Sequence, residues 1–261
     1  MAVEVRSPEP APPKATRAAA ATVLPGPNDK HGYVRTMFDA IAPRYDLLNS
    51  LLSARLHHGW RRAAARQAAL SPGQTALDVC TGTADMALEL ARAVGPTGKV
   101  VGGDFSAGML LLGKAKVASR QRAVRNVRLM LADAQNLPHP DNAFDAATVA
   151  FGIRNVADVA RGIAEMARVV RSGGRVVILE FNQPKGRVFA GLYGWYSFTV
   201  LPFLGGLLSG RRSAYEYLPS SVAAFHSREA IAEMMRAAGL TNVRVTDLTF
   251  GTVVIHCGIK S

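Results

Sequence analysis

The sequence predicts an α/β protein with a doubly wound, mostly parallel sheet of seven strands, the last of them antiparallel. From residue 75 onward, short apolar runs alternate with amphipathic helical patterns, an order typical of a parallel sheet covered by helices. Near the end, the β-like runs 241–248 and 251–259 are joined too tightly for a parallel crossover. These two strands are therefore expected to be antiparallel.

Each remaining element follows from its pattern of apolar residues and from its breakers. The earlier strands are predicted at 75–79, 99–103, 126–131, 144–150 and 174–181, and the helices at 84–93, 106–118, 157–171 and 227–238. Residues 30–72 are predicted to be a helical lead-in, or lid, of three helices. The second of these starts at Pro43, because proline suits a first helical turn.

Two segments lie outside this alternation. Residues 1–29 are rich in Pro and Ala without hydrophobic periodicity, which predicts a disordered tail before a single domain at 30–261. Residues 182–226 contain an uncharged stretch, 188–210, that is nearly long enough to span a bilayer. Glycines and Pro202 interrupt it, and a span here would split the sheet, so we expect an apolar insert before the last helix, on the substrate side.

The composition restricts the partners of the protein. Of the 261 residues, 49% are hydrophobic and 19% charged, and the formal net charge is +12. This charge indicates an anionic partner such as nucleic acid, a phosphorylated ligand or an anionic membrane, or simply a solvated basic surface. The basic residues are spread along the chain, which argues against a nucleic-acid tail. Cys80 and Cys257 form no CxxC pair, so we expect neither a disulfide nor a metal site, and a reducing cytoplasmic compartment.

Acidic side chains follow three successive strands, where ligands of parallel sheets bind. Asp78 ends the first strand in TALDVCTGTADMALEL, Asp104 follows the second, and Asp133-Ala134 follow the third. Taken singly, Asp78 and Asp104 could be helix caps and Asp133 a turn residue. Their joint placement favours a ligand site that also contains Gly82.

The turn after the first strand distinguishes two adenosine ligands. A dinucleotide requires closely spaced glycines, but Ala84 and Met86 stand where two of them would be needed. S-adenosylmethionine has no pyrophosphate, and its ammonium would be favoured by Asp78. The turn therefore indicates S-adenosylmethionine, with Asp104 accepting hydrogen bonds from the ribose.

These stretches resemble the ubiquinone/menaquinone-biosynthesis C-methyltransferases, a family of class I methyltransferases with a Rossmann-like sheet. The resemblance runs from about residue 31 to the end. The stretches are MFDAIAPRYDLLNSLLSARLHHGWRR, LDVCTGTADMALEL, GDFSAGML, ADAQNLPHPDNAFD, FGIRNV, LEF, YEYLPSSVAAF and GTVVIHCGIK. The resemblance implies cofactor contacts from Thr83, Asp104, Asp133 and Ala134.

The sequence departs from the family pattern at three positions. Ala150 replaces a frequent serine, which removes a hydroxyl contact. Thr81 and Ala84 replace glycines of the usual GGTGD turn. Ala84 fits this turn without strain only if its φ is negative.

The resemblance implies transfer of a methyl group from S-adenosylmethionine to a ring carbon of a polyprenylated quinol, demethylmenaquinol or also the methoxy-benzoquinol of ubiquinone synthesis. Arg154 could stabilise a phenolate and His226 could act as a base, although Arg154 could instead pair with a carboxylate and His226 could be structural. Other small hydrophobic acceptors and a non-catalytic binding protein remain alternatives.

We expect no nucleic-acid partner, because FGIR stands where a base-methylating enzyme would carry an NPPY-like motif. The apolar insert and the basic surface predict peripheral contact with the inner face of the cytoplasmic membrane. Homo-oligomerisation is left open.

Overall fold

The structure is a computed structural model with one central sheet. It describes residues 26, 30–53, 55–120, 126–184, 191, 193–200, 202–203 and 212–261. Apart from Gly26, the predicted tail lies outside the described residues, as does much of the uncharged stretch 188–210.

The seven strands agree with the predicted ones to within a few residues. They are β1 Thr75–Val79, β2 Lys99–Asp104, β3 Val127–Leu131, β4 Phe144–Ala150, β5 Val170–Phe181, β6 Leu240–Leu248 and β7 Val253–Lys260. The described helices include α1 Lys30–Leu52, α2 Leu56–Gln67, α3 Asp85–Val94, α4 Ala107–Ser119, α5 Val159–Val169, α6 Arg212–Ala223 and α7 Arg228–Ala237.

The sheet order β3-β2-β1-β4-β5-β7-β6 confirms the predicted fold class. Strand β7 runs antiparallel to both β5 and β6, whereas the pairs among β1 to β5 are parallel. The strand order reverses between β1 and β4. In open α/β sheets a ligand binds outside the carboxyl ends of the strands at such a reversal.

Apolar side chains cover both faces of the sheet. One buried cluster joins α2 and α3 to alternate residues of β5 and β7, including Leu88, Leu90 and Leu179. The other joins α5 and α7 to the opposite face, including Ile163 and Ile231. Because successive side chains of a strand point to opposite faces of the sheet, the two clusters pack helices on opposite faces.

The lead-in differs from the prediction at Pro43. A second helix was expected to start there, but α1 continues through Pro43 from Lys30 to Leu52. Proline removes one intrahelical hydrogen bond and crowds the preceding turn, which disfavours but does not forbid a continuous helix. Val34, Ile41 and Ala42 are buried, and this burial on one helix face opposes the cost of the proline.

Most of the described part of the insert is helical. It contains a π-helical segment, Tyr196–Val200, and α6, which carries Pro219 in its interior. Within the described residues, no helix combines the length and the apolar character needed to cross a bilayer.

Candidate functional site

A cleft with an empty volume of about 850 Å³, part of it open solvent, lies at the carboxyl ends of β1, β2 and β4. Its lining includes all six predicted cofactor residues. They are Asp78, Gly82, Thr83, Asp104, Asp133 and Ala134. Ala150, which replaces the frequent serine, also lines this cleft. The structure therefore brings together the side chains that the sequence placed after separate strands.

Asp78 is fully buried at the end of β1. Its carboxylate accepts hydrogen bonds from the hydroxyls of Thr81 at 2.6 Å and of Thr148 at 3.1 Å. Burial raises its pKa to about 7, and these hydrogen bonds oppose the shift. A cationic ligand group in the cleft would favour the ionised carboxylate, which fits the ammonium of S-adenosylmethionine.

Asp104 is held by backbone groups of the neighbouring loops. It accepts hydrogen bonds from the N–H of Gly82 at 2.8 Å and from the N–H of Ser106 at 2.9 Å. Burial raises the pKa of Asp104, and these backbone N–H groups oppose the shift. Gly82 has a φ of +55°, where a side chain would be strained. The carboxylate is thus oriented before any ligand binds, as a ribose acceptor should be.

Thr83 links the cleft to the lead-in. Its hydroxyl donates to Asp46 of α1 at 2.6 Å and accepts from Lys116 of α4 at 2.9 Å. Lys116 also forms ion pairs with Asp46 and, at 2.7 Å, with Asp85. The lead-in helix therefore contacts the turn of the cleft through the side chain of Asp46.

Asp133 and Ala134, which follow β3, also line the cleft. Asp133 is exposed, and its carboxylate accepts a hydrogen bond from the N–H of Gln135 at 2.9 Å. Ala134 is buried. The turn role considered for Asp133 is therefore present, and it uses one of the two carboxylate oxygens.

The turn between β1 and α3 contains two left-handed residues other than glycine. Cys80 has a φ of +54° and Ala84 a φ of +69°. The condition for an unstrained fit, a negative φ at Ala84, is therefore not met. A Cβ in this region crowds the backbone at a cost of about 1 kcal/mol, which glycine does not incur.

Replacing Ala84 by glycine is therefore expected to raise the free energy of unfolding by about 0.5–1 kcal/mol. Thermal unfolding of the apo protein should show a rise of roughly 2–4 °C per kcal/mol. The matched control is Ala91→Gly in the ordinary helical backbone of α3, which should lower stability by about 1 kcal/mol or more. A lower melting temperature for Ala84→Gly would contradict the strain.

Arg154 is buried beside the cleft but does not line it. Its guanidinium donates to Glu180 at 2.8 Å, to the Phe151 carbonyl and to the Ser221 hydroxyl at 3.3 Å. Glu180, in the LEF stretch, is itself buried. The carboxylate partner considered for Arg154 therefore exists. The guanidinium is connected to the cleft indirectly, because it donates to the carbonyl of Phe151, a residue that lines the cleft.

His226 is exposed and lies outside the cofactor cleft. It borders a second, smaller cavity with an empty volume of about 230 Å³. Glu180, the ion-pair partner of Arg154, lines that cavity too. The structure does not bring Arg154 and His226 together with the cofactor residues in one cavity.

Other cleft residues were not predicted from the sequence. Arg61 of α2 lines the cleft, and so does Asn155 of the FGIRNV stretch. The Oδ1 atom of Asn155 accepts a hydrogen bond from the buried Tyr217 hydroxyl at 3.1 Å. The HHGWRR and YEYLPSSVAAF stretches contain Arg61 and Tyr217, but nothing in their spacing shows that they contribute to one site.

Comparison with known proteins gives one consistent result. The chain matches the ubiE/COQ5 methyltransferase family over residues 27–260. It is 46% identical over 232 residues to the ubiquinone/menaquinone biosynthesis C-methyltransferase UbiE of Geobacter sulfurreducens, covering 89% of this chain and 90% of that one. It is 43% identical over 231 residues to the demethylmenaquinone methyltransferase of Geobacillus stearothermophilus, covering 88% and 98%.

Two solved structures of similar shape share the fold of this chain but little of its sequence. The [4+2]-cyclase SpnF aligns with a TM-score of 0.65 at 17% identity, covering 91% of this chain and 97% of that one. A SAM-dependent methyltransferase from Aquifex aeolicus aligns with a TM-score of 0.55 at 17% identity, covering 90% and 99%. One shared fold thus carries different reactions, and the site has to distinguish them.

Proposed function

Because the chain belongs to the ubiE/COQ5 methyltransferase family, we propose that it methylates a ring carbon of a polyprenylated quinol with S-adenosylmethionine as methyl donor. The acceptor we favour is demethylmenaquinol, with the methoxy-benzoquinol of ubiquinone synthesis as a second candidate. The observation that carries the proposal is the convergence of Asp78, Thr83, Asp104 and Asp133 on one cleft.

The residues present fit this donor. When bound, S-adenosylmethionine supplies a methyl group on a sulfonium, ready for in-line transfer. Asp104 would accept from the ribose hydroxyls, Asp78 would face the ammonium, and Asp133 with Ala134 would hold the adenine. A cleft lined by buried carboxylates in a protein of net charge +12 suits a ligand with two cationic groups.

The chain also has to favour the phenolate form of the acceptor, because that form makes the ring carbon nucleophilic. Arg154 is the proposed stabiliser of this negative charge, since its guanidinium stays protonated. His226 is the proposed proton acceptor, exposed at the cavity that Glu180 also lines. Excluding water and positioning the acceptor would contribute much of the rate.

The experiment is mass spectrometry of quinols after incubation with the protein and S-adenosylmethionine. Demethylmenaquinol and a 6-methoxy-3-polyprenyl-benzoquinol are offered together under reducing conditions. We expect a gain of one methyl group on demethylmenaquinol, and a gain on both would show a broader acceptor range. No gain on either quinol, with the donor still bound, would overturn the quinol proposal in favour of another small hydrophobic acceptor.

We further propose that the protein is cytoplasmic and meets its lipid-soluble acceptor at the inner face of the membrane through the insert. Trp195 and Phe203 are 61% and 65% exposed, and aromatic side chains are favoured at bilayer interfaces. The basic net charge would add attraction to anionic lipid.

Replacing Trp195 and Phe203 by serine is expected to lower the fraction of protein that sediments with vesicles containing phosphatidylglycerol. The control Leu111→Ser removes an apolar side chain that is 67% exposed on α4, and it should leave sedimentation unchanged. Equal binding by wild type and the double variant would contradict the proposed surface.

A further inference from the structure

We propose that Arg61 binds the carboxylate of S-adenosylmethionine and that His57 positions its guanidinium for this task. The inference rests on the proposed function and deepens it. Among the described residues that line the cleft, Arg61 is the single lysine or arginine, beside Asp78, Asp85, Asp104 and Asp133. The donor carries two cationic groups and one carboxylate, so only the carboxylate needs a cationic partner.

The surroundings of Arg61 leave its guanidinium available. The residue is buried on α2, and its guanidinium carbon lies 5.5 Å from the ring centroid of Phe151. One Nη atom donates to Nδ1 of His57 and lies 3.7 Å from the Asp85 carboxylate. Within the described part of the chain, His57 is the only hydrogen-bond acceptor for this guanidinium, which has five N–H bonds.

The position of Arg61 corresponds to the amino-acid end of the donor. With the adenine at Ala134 after β3 and the ribose at Asp104 at the end of β2, the strand order β3-β2-β1 implies that the methionyl part would extend toward the turn between β1 and Asp85. Asp85 is also the first residue of α3, and the positive end of a helix dipole favours a carboxylate there. Since Arg61 lies beside Asp85, it reaches the same end of the cleft.

His57 explains how the guanidinium is oriented. Burial lowers the pKa of His57 to about 4, so the imidazole is neutral near pH 7 and its Nδ1 can accept a hydrogen bond. Its Nε2 lies 3.1 Å from the Ser50 hydroxyl, which fixes the ring. His57 and Arg61 are one helical turn apart, so their side chains lie next to each other on the same face of α2.

The test compares S-adenosylmethionine with its decarboxylated analogue, which lacks only the carboxylate. Dissociation constants for both ligands are measured by calorimetry on the full chain, for wild type, Arg61→Met and Arg62→Met. Wild type is expected to bind S-adenosylmethionine about 10- to 100-fold more tightly than the analogue. Arg61→Met should bind the two ligands nearly equally. Arg62→Met, which alters an exposed neighbour on α2, should keep the wild-type ratio.

The remaining outcomes also decide the question. The same ratio in wild type and Arg61→Met, or a ratio near one in wild type, would overturn the inference. A wild-type protein that binds neither ligand would instead overturn the proposed function. Should Arg61→Met fail to fold, Arg61→Gln decides, because its amide is neutral: a ratio near one is expected, and the wild-type ratio would contradict the inference.

A separate variant tests the positioning role of His57. His57→Leu should lower the affinity for S-adenosylmethionine more than that for the analogue. A merely structural role would lower both affinities alike.

Discussion

Replacing Arg154 by methionine is expected to lower the free energy of unfolding by about 3–5 kcal/mol, because the buried charge of Glu180 loses its ion-pair partner. Only 1% of Glu180 is exposed, so water cannot take over this role. Methionine retains an apolar chain that can pack on Phe181, over whose ring the guanidinium lies. Thermal unfolding should show a fall of roughly 10 °C.

A second change separates the structural role of Arg154 from its proposed catalytic role. Arg154→Met combined with Glu180→Gln removes both charges, and most of the lost stability should return. A folded double variant that transfers no methyl group would support phenolate stabilisation by Arg154. Activity that returns together with stability would show that Arg154 only holds Glu180.

The surface pair Arg92–Glu89 provides the control for this cycle. The Arg92 side chain is 54% exposed and its nitrogen lies 2.5 Å from the Glu89 carboxylate. Arg92→Met should change the free energy of unfolding by less than about 1 kcal/mol. An equally small effect of Arg154→Met would contradict the buried ion pair.

The sheet could be predicted from the sequence because its signals are local. Apolar runs such as 75–79 and 144–150, bounded by turn residues, match β1 and β4 residue for residue. The antiparallel end of the sheet followed from one short link. The continuous helix α1 could not be predicted in this way, because Pro43 is a local breaker and the opposing burial of Ile41 and Ala42 depends on distant packing.

In the site, too, features with local sequence signals could be predicted and features that depend on distant packing could not. Asp78, Asp104 and Asp133 could be predicted because strand ends of a parallel sheet meet at one edge. Arg61 could not, since it comes from a helix that precedes the sheet, and helical periodicity does not say where a helix docks. Glu180 lies near the end of a strand as well, but only the structure shows that its partner is Arg154.

Replacing Asp78 by asparagine is expected to stabilise the apo protein above pH 7 while weakening donor binding. Burial raises the pKa of Asp78 from 3.8 to about 7, so the folded state holds a proton that the unfolded state has lost. Wild-type stability therefore falls as the pH rises from about 4 to 7, by an amount on the order of a few kcal/mol. The asparagine side chain does not titrate, so the advantage of the variant should be largest at about pH 8 and vanish near pH 4.

For binding of S-adenosylmethionine, wild type should have the advantage over Asp78→Asn, because the cationic groups of the donor would favour ionised Asp78. Below pH 7, binding then releases a proton, and wild-type affinity for S-adenosylmethionine should rise with pH by up to about tenfold per unit. Asp78→Asn should bind more weakly at pH 8 and lose this contribution to the pH dependence. Calorimetric titrations of both proteins at pH 6, 7 and 8 measure the difference. An identical pH dependence in the two proteins would mean that the ammonium lies elsewhere, and that Asp78 serves only to hold Thr81 and Thr148 at the end of β1.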